Sequence, residues 1–185
     1  LLVRGEPLLF DREVQATMFA LRNPLADRLM AALAAIGSAP VLGAGSAAVL
    51  AWLAWRKRWM AAAHWLVAIA VGLLITVGLG ALVDMPRPPT APAGFGFPSI
   101  AVTMTTVVFG FFAVLVAREF PGRQRVWPYL LAGIATALVG FARLYLGAHL
   151  LSDLPGGVLL GVVWLLVLGT STRPPSAPRV LLRPL

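Results

Sequence analysis

Five residues of this 185-residue chain have types and spacings suited to holding and attacking an oxyanion: His149, Asp153, Arg143, Arg87 and Ser99. Asp153 follows His149 by four positions, so on a helix the two share a face and can bond. A carboxylate on one imidazole nitrogen fixes the tautomer and leaves the other nitrogen free and more basic. Arg143 lies in the run Ala142-Arg143-Leu144-Tyr145-Leu146-Gly147-Ala148-His149, and Arg87 in Asp84-Met85-Pro86-Arg87-Pro88-Pro89. Two guanidinium forks near one imidazole make an anion cradle that matches phosphate. Pro98-Ser99 opens an apolar run whose first N–H groups would add donors at a helix N-terminus.

The rest of the chain must bring these residues to one place, and its composition says in what solvent. Hydrophobic residues make up 59% of it and charged residues 12%, with a mean hydropathy of +0.88. Soluble domains run at roughly 45–50% apolar and about 25% charged, so an ordinary water-soluble globule is excluded. A disordered chain is excluded too, because it needs low hydrophobicity and high charge. The expected fold is all-α: a polytopic membrane helix bundle of about six transmembrane helices with an N-terminal interfacial helix. Apolar runs fall at 25–36, 41–55, 59–83, 100–117, 127–146 and 154–169. Gly37-Ser38-Ala39-Pro40 separates the first two, and the first is too short to cross a bilayer alone. Residues 10–21 mix Val14, Met18 and Leu21 with Asp11, Arg12 and Glu13, which reads as the interfacial helix.

Residues 1–22 therefore form an N-terminal segment, 23–170 a membrane-embedded domain, and 171–185 a Pro- and Arg-rich cytoplasmic tail. Starting the first short helix on the cytoplasmic side puts Arg4, Arg12, Arg22, Arg28, Arg56, Lys57, Arg58, Arg118, Arg123, Arg125, Arg173, Arg179 and Arg183 inside. Only Arg87 and Arg143 fall outside, a strong asymmetry of the positive-inside kind. Taking 25–36 as interfacial leaves five spans and the same orientation for everything after Pro40. The two outer arginines have no topogenic reason to be there, which singles them out. Net charge is +8, but the basic residues lie between apolar runs rather than in aromatic-interleaved stripes, so nucleic acid is not an expected partner. Cysteine is absent, which removes disulfides and thiolate chemistry. The first residue is Leu1 rather than methionine, so the chain is expected to be an excerpt of a longer protein, which leaves room for an additional domain before residue 1, or an incomplete gene model.

Taken together these residues resemble the type 2 phosphatidic acid phosphatases, which share a site with vanadium haloperoxidases. The family pattern is K-x6-R-P, then P-S-G-H, then S-R-x5-H-x3-D, at the outer ends of successive helices. The third motif is met by Arg143, His149 and Asp153, with Ala142 in place of serine. The first is met only at Arg87-Pro88, with Gly80 at the lysine position. The second is met only at Pro98-Ser99, with Ile100 and Ala101 replacing glycine and histidine; Thr103 falls where the family often has threonine.

The resemblance implies a lipid phosphatase working on a lipid phosphate or diphosphate, polyprenyl or phospholipid, without metal or cofactor. It would sit in the bacterial inner membrane with its site facing the periplasm or exterior. By resemblance His149 attacks phosphorus and becomes a phosphohistidine, Asp153 orients it, and Arg87, Arg143 and Ser99 hold the phosphoryl oxygens. Alanine at 101 cannot act as the family's general acid, a loss of about 10²–10⁴-fold in rate. Activity is therefore expected to be weakened and to favour diphosphates; Asp84 and Tyr145 are the remaining candidate acids. The alternative is a catalytically degenerate member that binds lipid phosphate or serves a structural role.

Plainer readings apply residue by residue. Ser99 suits a helix N-cap, Arg87 an interfacial anchor paired with Asp84, and Asp153 a cap on the last helix, two residues before Pro155. His64 lies about 30 Å of helix from Arg87 and is left out of the site. Trp55, Trp59 and Trp127 fit an aromatic belt, and Gly156-Gly157 fits a close helix contact. No charged residue lies mid-membrane in any of the apolar runs, so a transporter or channel has little support.

Overall fold

In a computed structural model, residues 9–83, 85 and 96–171 are described; they form seven α-helices and no strand. The helices are α1 (Leu9–Ala20), α2 (Pro24–Ile36), α3 (Ala39–Trp55), α4 (Trp59–Val83), α5 (Ile100–Ala117), α6 (Val126–Tyr145) and α7 (Asp153–Ser171), with a short 3₁₀ turn, Gly122–Arg125, before α6. The boundaries follow local chemistry. Asn23 caps α2 by accepting from the Ala26 N–H at 2.9 Å, and Pro24 follows at a position that needs no N–H. Gly37-Ser38 ends α2, and α3 starts with Pro40 in its first turn.

α2 and α3 meet at a bend of 41° and pass as a membrane span only as a pair. The two separate runs read from sequence thus reach the length and apolarity of a crossing only together. α4, α5 and the stretch Gly122–Tyr145 are each long and apolar enough to cross a bilayer, while Asp153–Gly169 is a shorter apolar helix. α4 has 25 residues, about 37 Å at 1.5 Å per residue.

α5 is the central rod, touching α3, α4, α6 and α7. More than half of it is buried, including Val102, Val107 and Val108, whereas α4 turns Leu66, Leu74 and Leu82 outward. A helix apolar all round suits both surroundings, protein on one and lipid on the other. The threonines of α5 are satisfied within their own helix: Thr103 donates to the Ser99 carbonyl, Thr105 to Ala101 and Thr106 to Val102. Such back-bonding lets hydroxyls lie in an apolar core without an orphan donor.

α7 approaches α5 through glycine. A Cβ at Gly157 would stand 3.2 Å from both the Ser99 carbonyl and the Thr103 hydroxyl, and one at Gly161 would stand 2.7 Å from the Thr106 Cβ. Gly157 fulfils the close-contact role read from sequence; its neighbour Gly156 lies instead against the Phe97 ring. Because Thr106 is anchored by its bond to Val102, the clash at 161 cannot be relieved by a flexible side-chain end. Gly161→Val is expected to destabilise the bundle by about 1–3 kcal/mol, read as a lower unfolding midpoint in detergent. An unchanged midpoint would show that α5 and α7 do not pack closely there.

Two ends of the bundle can be distinguished. At one end the α3–α4 junction, with Arg56, Lys57 and Arg58, meets the end of α5 through an Arg58–Glu119 salt bridge of 3.1 Å. The other end gathers the end of α4, the start of α5, the end of α6 and the start of α7. α1 belongs to this second end: Asp11 accepts from Ser152 just before α7, and the Tyr145 hydroxyl at the end of α6 donates to the Leu21 carbonyl. Alternation of the apolar runs put Arg12 and Arg22 on the face opposite Arg143. The structure instead puts α1 at the end that holds Arg143, an arrangement that fits an α2–α3 pair passing as one bent span rather than two. Arg4 and the tail arginines Arg173, Arg179 and Arg183 lie outside the described residues.

Candidate active site

α6 ends in a way that presents a histidine. The Gly147 N–H bonds the Leu144 carbonyl and the Ala148 N–H reaches back to the Arg143 carbonyl at 2.9 Å, with Gly147 at φ 71°. That pairing is the Schellman arrangement, and its left-handed residue favours glycine. Arg143 stands in the last turn of α6, and the reversed chain carries His149 through a turn to Asp153, the first residue of α7.

His149 and Asp153 do come together, but not by the route expected. Residues 146–152 are turn and bend rather than helix, so the pair is closed by the loop and not by a helical face. His149 Nδ1 lies 3.6 Å from Asp153 Oδ2 and 3.0 Å from the Gly96 carbonyl oxygen. A carbonyl oxygen can only accept, so at this contact Nδ1 donates and Nε2 is left as the basic ring atom. The Asp153 carboxylate makes its shorter bond to the Leu150 N–H, 2.9 Å, while its own N–H donates to the Leu150 carbonyl. Asp153 thereby shapes the turn that carries His149 as well as facing the ring. Both residues are buried.

Gly96 ties the histidine to the first motif region. Its N–H donates to the Met85 carbonyl at 2.8 Å, so the chain leaving α4 and the chain entering α5 meet beside His149. Arg87 and Asp84 lie outside the described residues. Ser99 occupies the N-cap position of α5 without a side-chain cap bond; its Oγ is buried and has no hydrogen-bond partner among the described residues. A pure capping role is therefore not what its hydroxyl performs. Tyr145 gives its hydroxyl proton to the Leu21 carbonyl at 3.2 Å, which argues against it as the replacement acid.

Arg143 and His149 line one cavity of about 380 Å³. Its walls are otherwise almost wholly apolar or small: Gly37 and Ala39 at the α2–α3 break, Leu42 and Ser46 on α3, Ile69 and Leu73 on α4, and Ile100, Ala101 and Met104 on α5. A polar head of guanidinium and imidazole joined to an apolar shaft is the outline of an amphiphile with an anionic headgroup. Ala101 opens directly onto this space, while Gly80 is buried on α4. His64 bonds the Met60 carbonyl and lines a separate groove with Lys57 and Arg58, as its exclusion from the site requires. Among the described residues no group of three or more His, Cys, Asp or Glu side chains could hold a metal. Asp11, Ser152 and Gly96 were not anticipated; a backbone carbonyl leaves no mark in sequence, and Asp11 reads as one more charge on an amphipathic helix.

The architecture is a helical bundle with an arginine and a histidine on one cavity where several helix ends converge. Residues 83–173 match the PAP2 superfamily. The phosphatidylglycerophosphatase B of Bacillus subtilis (strain 168) is 26% identical over 166 residues, covering 83% of this chain and 78% of that protein. Two crystal structures share the fold. One is a transmembrane PAP2-type phosphatidylglycerolphosphate phosphatase from Bacillus subtilis, with a TM-score of 0.76, 23% identity and coverage of 87% of this chain and 83% of the other. The second is Aquifex aeolicus LpxE, with a TM-score of 0.68, 20% identity and coverage of 91% and 99%. The apolar helices and these likenesses make the chain an integral membrane protein similar to phosphatases of that superfamily.

Proposed function

We propose that this protein hydrolyses a lipid phosphate, with lipid diphosphates preferred, through a phosphohistidine on His149. The observation that carries the reading is the single cavity shared by Arg143 and His149, with apolar walls suited to a lipid tail. His149 Nε2 attacks phosphorus and the bond from phosphorus to the departing oxygen breaks. Water then cleaves the N–P bond, releasing phosphate and the free imidazole. Nδ1 carries the positive charge that builds on the ring, with the Gly96 carbonyl and the Asp153 carboxylate facing it. Arg143, Arg87 and Ser99 hold the phosphoryl oxygens, where charge spreads in the transition state. The buried Ser99 hydroxyl, without a hydrogen-bond partner among the described residues, supports its part. For Arg87 the support is the Met85–Gly96 bond, which starts its segment beside His149. The site faces the outside of a bacterial inner membrane in this reading.

Ala101 sets the substrate preference. An alkoxide leaves poorly without a proton donor, whereas a departing phosphate needs little protonation, so a diphosphate tolerates the missing acid. The same alanine, with Gly80 at the lysine position, favours the second reading, a protein that binds lipid phosphate without turnover. Purified protein in detergent should release phosphate faster from a polyprenyl diphosphate than from phosphatidic acid. Labelled diphosphate should leave an acid-labile, base-stable phosphoryl group on the protein. Background release from both substrates with no adduct would leave the binding reading in possession.

A further inference from the structure

We propose that Asp11 is a positioning residue: through Ser152 it holds the turn that carries His149, so that α1 works as a strap across the active site. The proposal rests on the reading of His149 as nucleophile. Asp11 is 2% exposed, and both its carboxylate oxygens bond one residue far away in the chain. Oδ1 accepts the Ser152 N–H at 3.0 Å and Oδ2 the Ser152 hydroxyl at 2.8 Å. Ser152 sits between His149 and Asp153. Within the turn the Leu150 N–H bonds Asp153 Oδ2, and the Asp153 and Leu154 N–H groups bond the Leu150 and Leu151 carbonyls, while the Gly96 carbonyl meets the His149 ring from outside. Asp11 clamps the turn from outside at its other end, through Ser152.

The helix is built for this. Asp11, Val14 and Met18 fall at i, i+3 and i+7, one stripe of α1. Val14 and Met18 pack on the cluster of Val102, Leu144 and Leu154, while Leu9, Phe10 and Phe19 point outward. An apolar residue at position 11 would complete that stripe at no desolvation cost. A buried carboxylate is costly unless its bonds are satisfied, and here both oxygens are used on the loop that ends in the catalytic pair. The bond from Tyr145 to the Leu21 carbonyl fastens the far end of the strap next to Arg143.

The test uses the full chain in detergent with three variants. Asp11→Ala should lower kcat on a polyprenyl diphosphate at least 10-fold with KM within about 2-fold, and should speed amide exchange across residues 146–153. Asp11→Asn can keep both contacts, its oxygen accepting from the Ser152 N–H and its amide donating to the Ser152 hydroxyl. It should therefore recover kcat to within about 3-fold of the parent. Asp11→Ala combined with Ser152→Ala should be no worse than Asp11→Ala alone, because both remove the same tie. Unchanged kcat in Asp11→Ala, unchanged exchange, additive losses, or no recovery with asparagine would each overturn the proposal. Should the parent protein show no turnover, the function reading fails, and the strap is judged on orthovanadate instead. Asp11→Ala should then weaken its binding at least 3-fold, and equal affinity would overturn the strap independently.

Discussion

His149→Ala is expected to abolish phosphate release from a lipid diphosphate, a loss of about 10⁴-fold or more. The size follows from what is removed. In the proposed mechanism Arg143 stabilises charge on oxygens that exist with or without it, and deleting one such donor costs about 10²–10³-fold. His149 would supply the atom that forms the new bond, so its loss would close the covalent route altogether. The ring is held in one orientation. Its Nδ1 is engaged by the Gly96 carbonyl, with Asp153 at 3.6 Å, and the residue opens onto the cavity beside Arg143. Because His149 is buried, alanine also leaves a void, and the variant needs a control. His149→Asn keeps a donor for the Gly96 carbonyl and should match the parent's unfolding midpoint while being as inactive as alanine. Initial rates of phosphate release for the three proteins decide the matter. Equal rates in parent and variants would show that any turnover has another origin.

How far the sequence could be read depended on which physical signals survive in one dimension. Hydropathy marked α4 and α5 to the residue, since Trp59–Val83 and Ile100–Ala117 are also the observed helices. Their lengths are set by the bilayer and their ends by charge, proline or capping groups, all visible in the chain. The break between α2 and α3 was visible in Gly37-Ser38-Ala39-Pro40, but its consequence was not. A break can end a crossing or bend it, and the choice depends on what α2 packs against. Here Gly37 seats against Val139 and Thr105, and the pair is long and apolar enough for a crossing only when taken together. Counting the two runs as two crossings is what put Arg12 and Arg22 opposite Arg143.

The site divides in the same way. Arg143, His149 and Asp153 lie within eleven residues, so spacing alone grouped them. Spacing misled on geometry, because i,i+4 suggested a helix where Gly147 has already turned the chain out of one. The Gly96 carbonyl faces His149 from 53 residues away, and Asp11 meets Ser152 from 141 residues away. Contacts of that range are products of tertiary packing, and neither a backbone oxygen nor a lone aspartate announces them.

Ala101→His is expected to raise turnover of phosphatidic acid by about 10²-fold while changing diphosphate hydrolysis little. The difference comes from the leaving group. In a monoester the departing oxygen becomes an alkoxide unless it is protonated as the bond breaks, and none of the described residues lining this cavity is suited to supply that proton. Tyr145 has committed its hydroxyl to Leu21, and Arg143 holds its protons too tightly to give one up. Position 101 lies in the first turn of α5 and lines the same cavity as His149 and Arg143, so an imidazole grown from its Cβ enters a space already open to substrate. The backbone there is secured by the Thr105 hydroxyl on the Ala101 carbonyl, which leaves the helix start undisturbed by the change. Ile100 beside it is bulkier than the glycine of the family pattern, so Ile100→Gly in the same chain should add to the gain if the isoleucine crowds the new ring. The ratio of monoester to diphosphate rates is the discriminating quantity. A general acid raises that ratio, whereas better folding or expression raises both rates together. An unchanged ratio would mean that the slow step lies elsewhere, with Gly80 and its missing cation as the next position to restore.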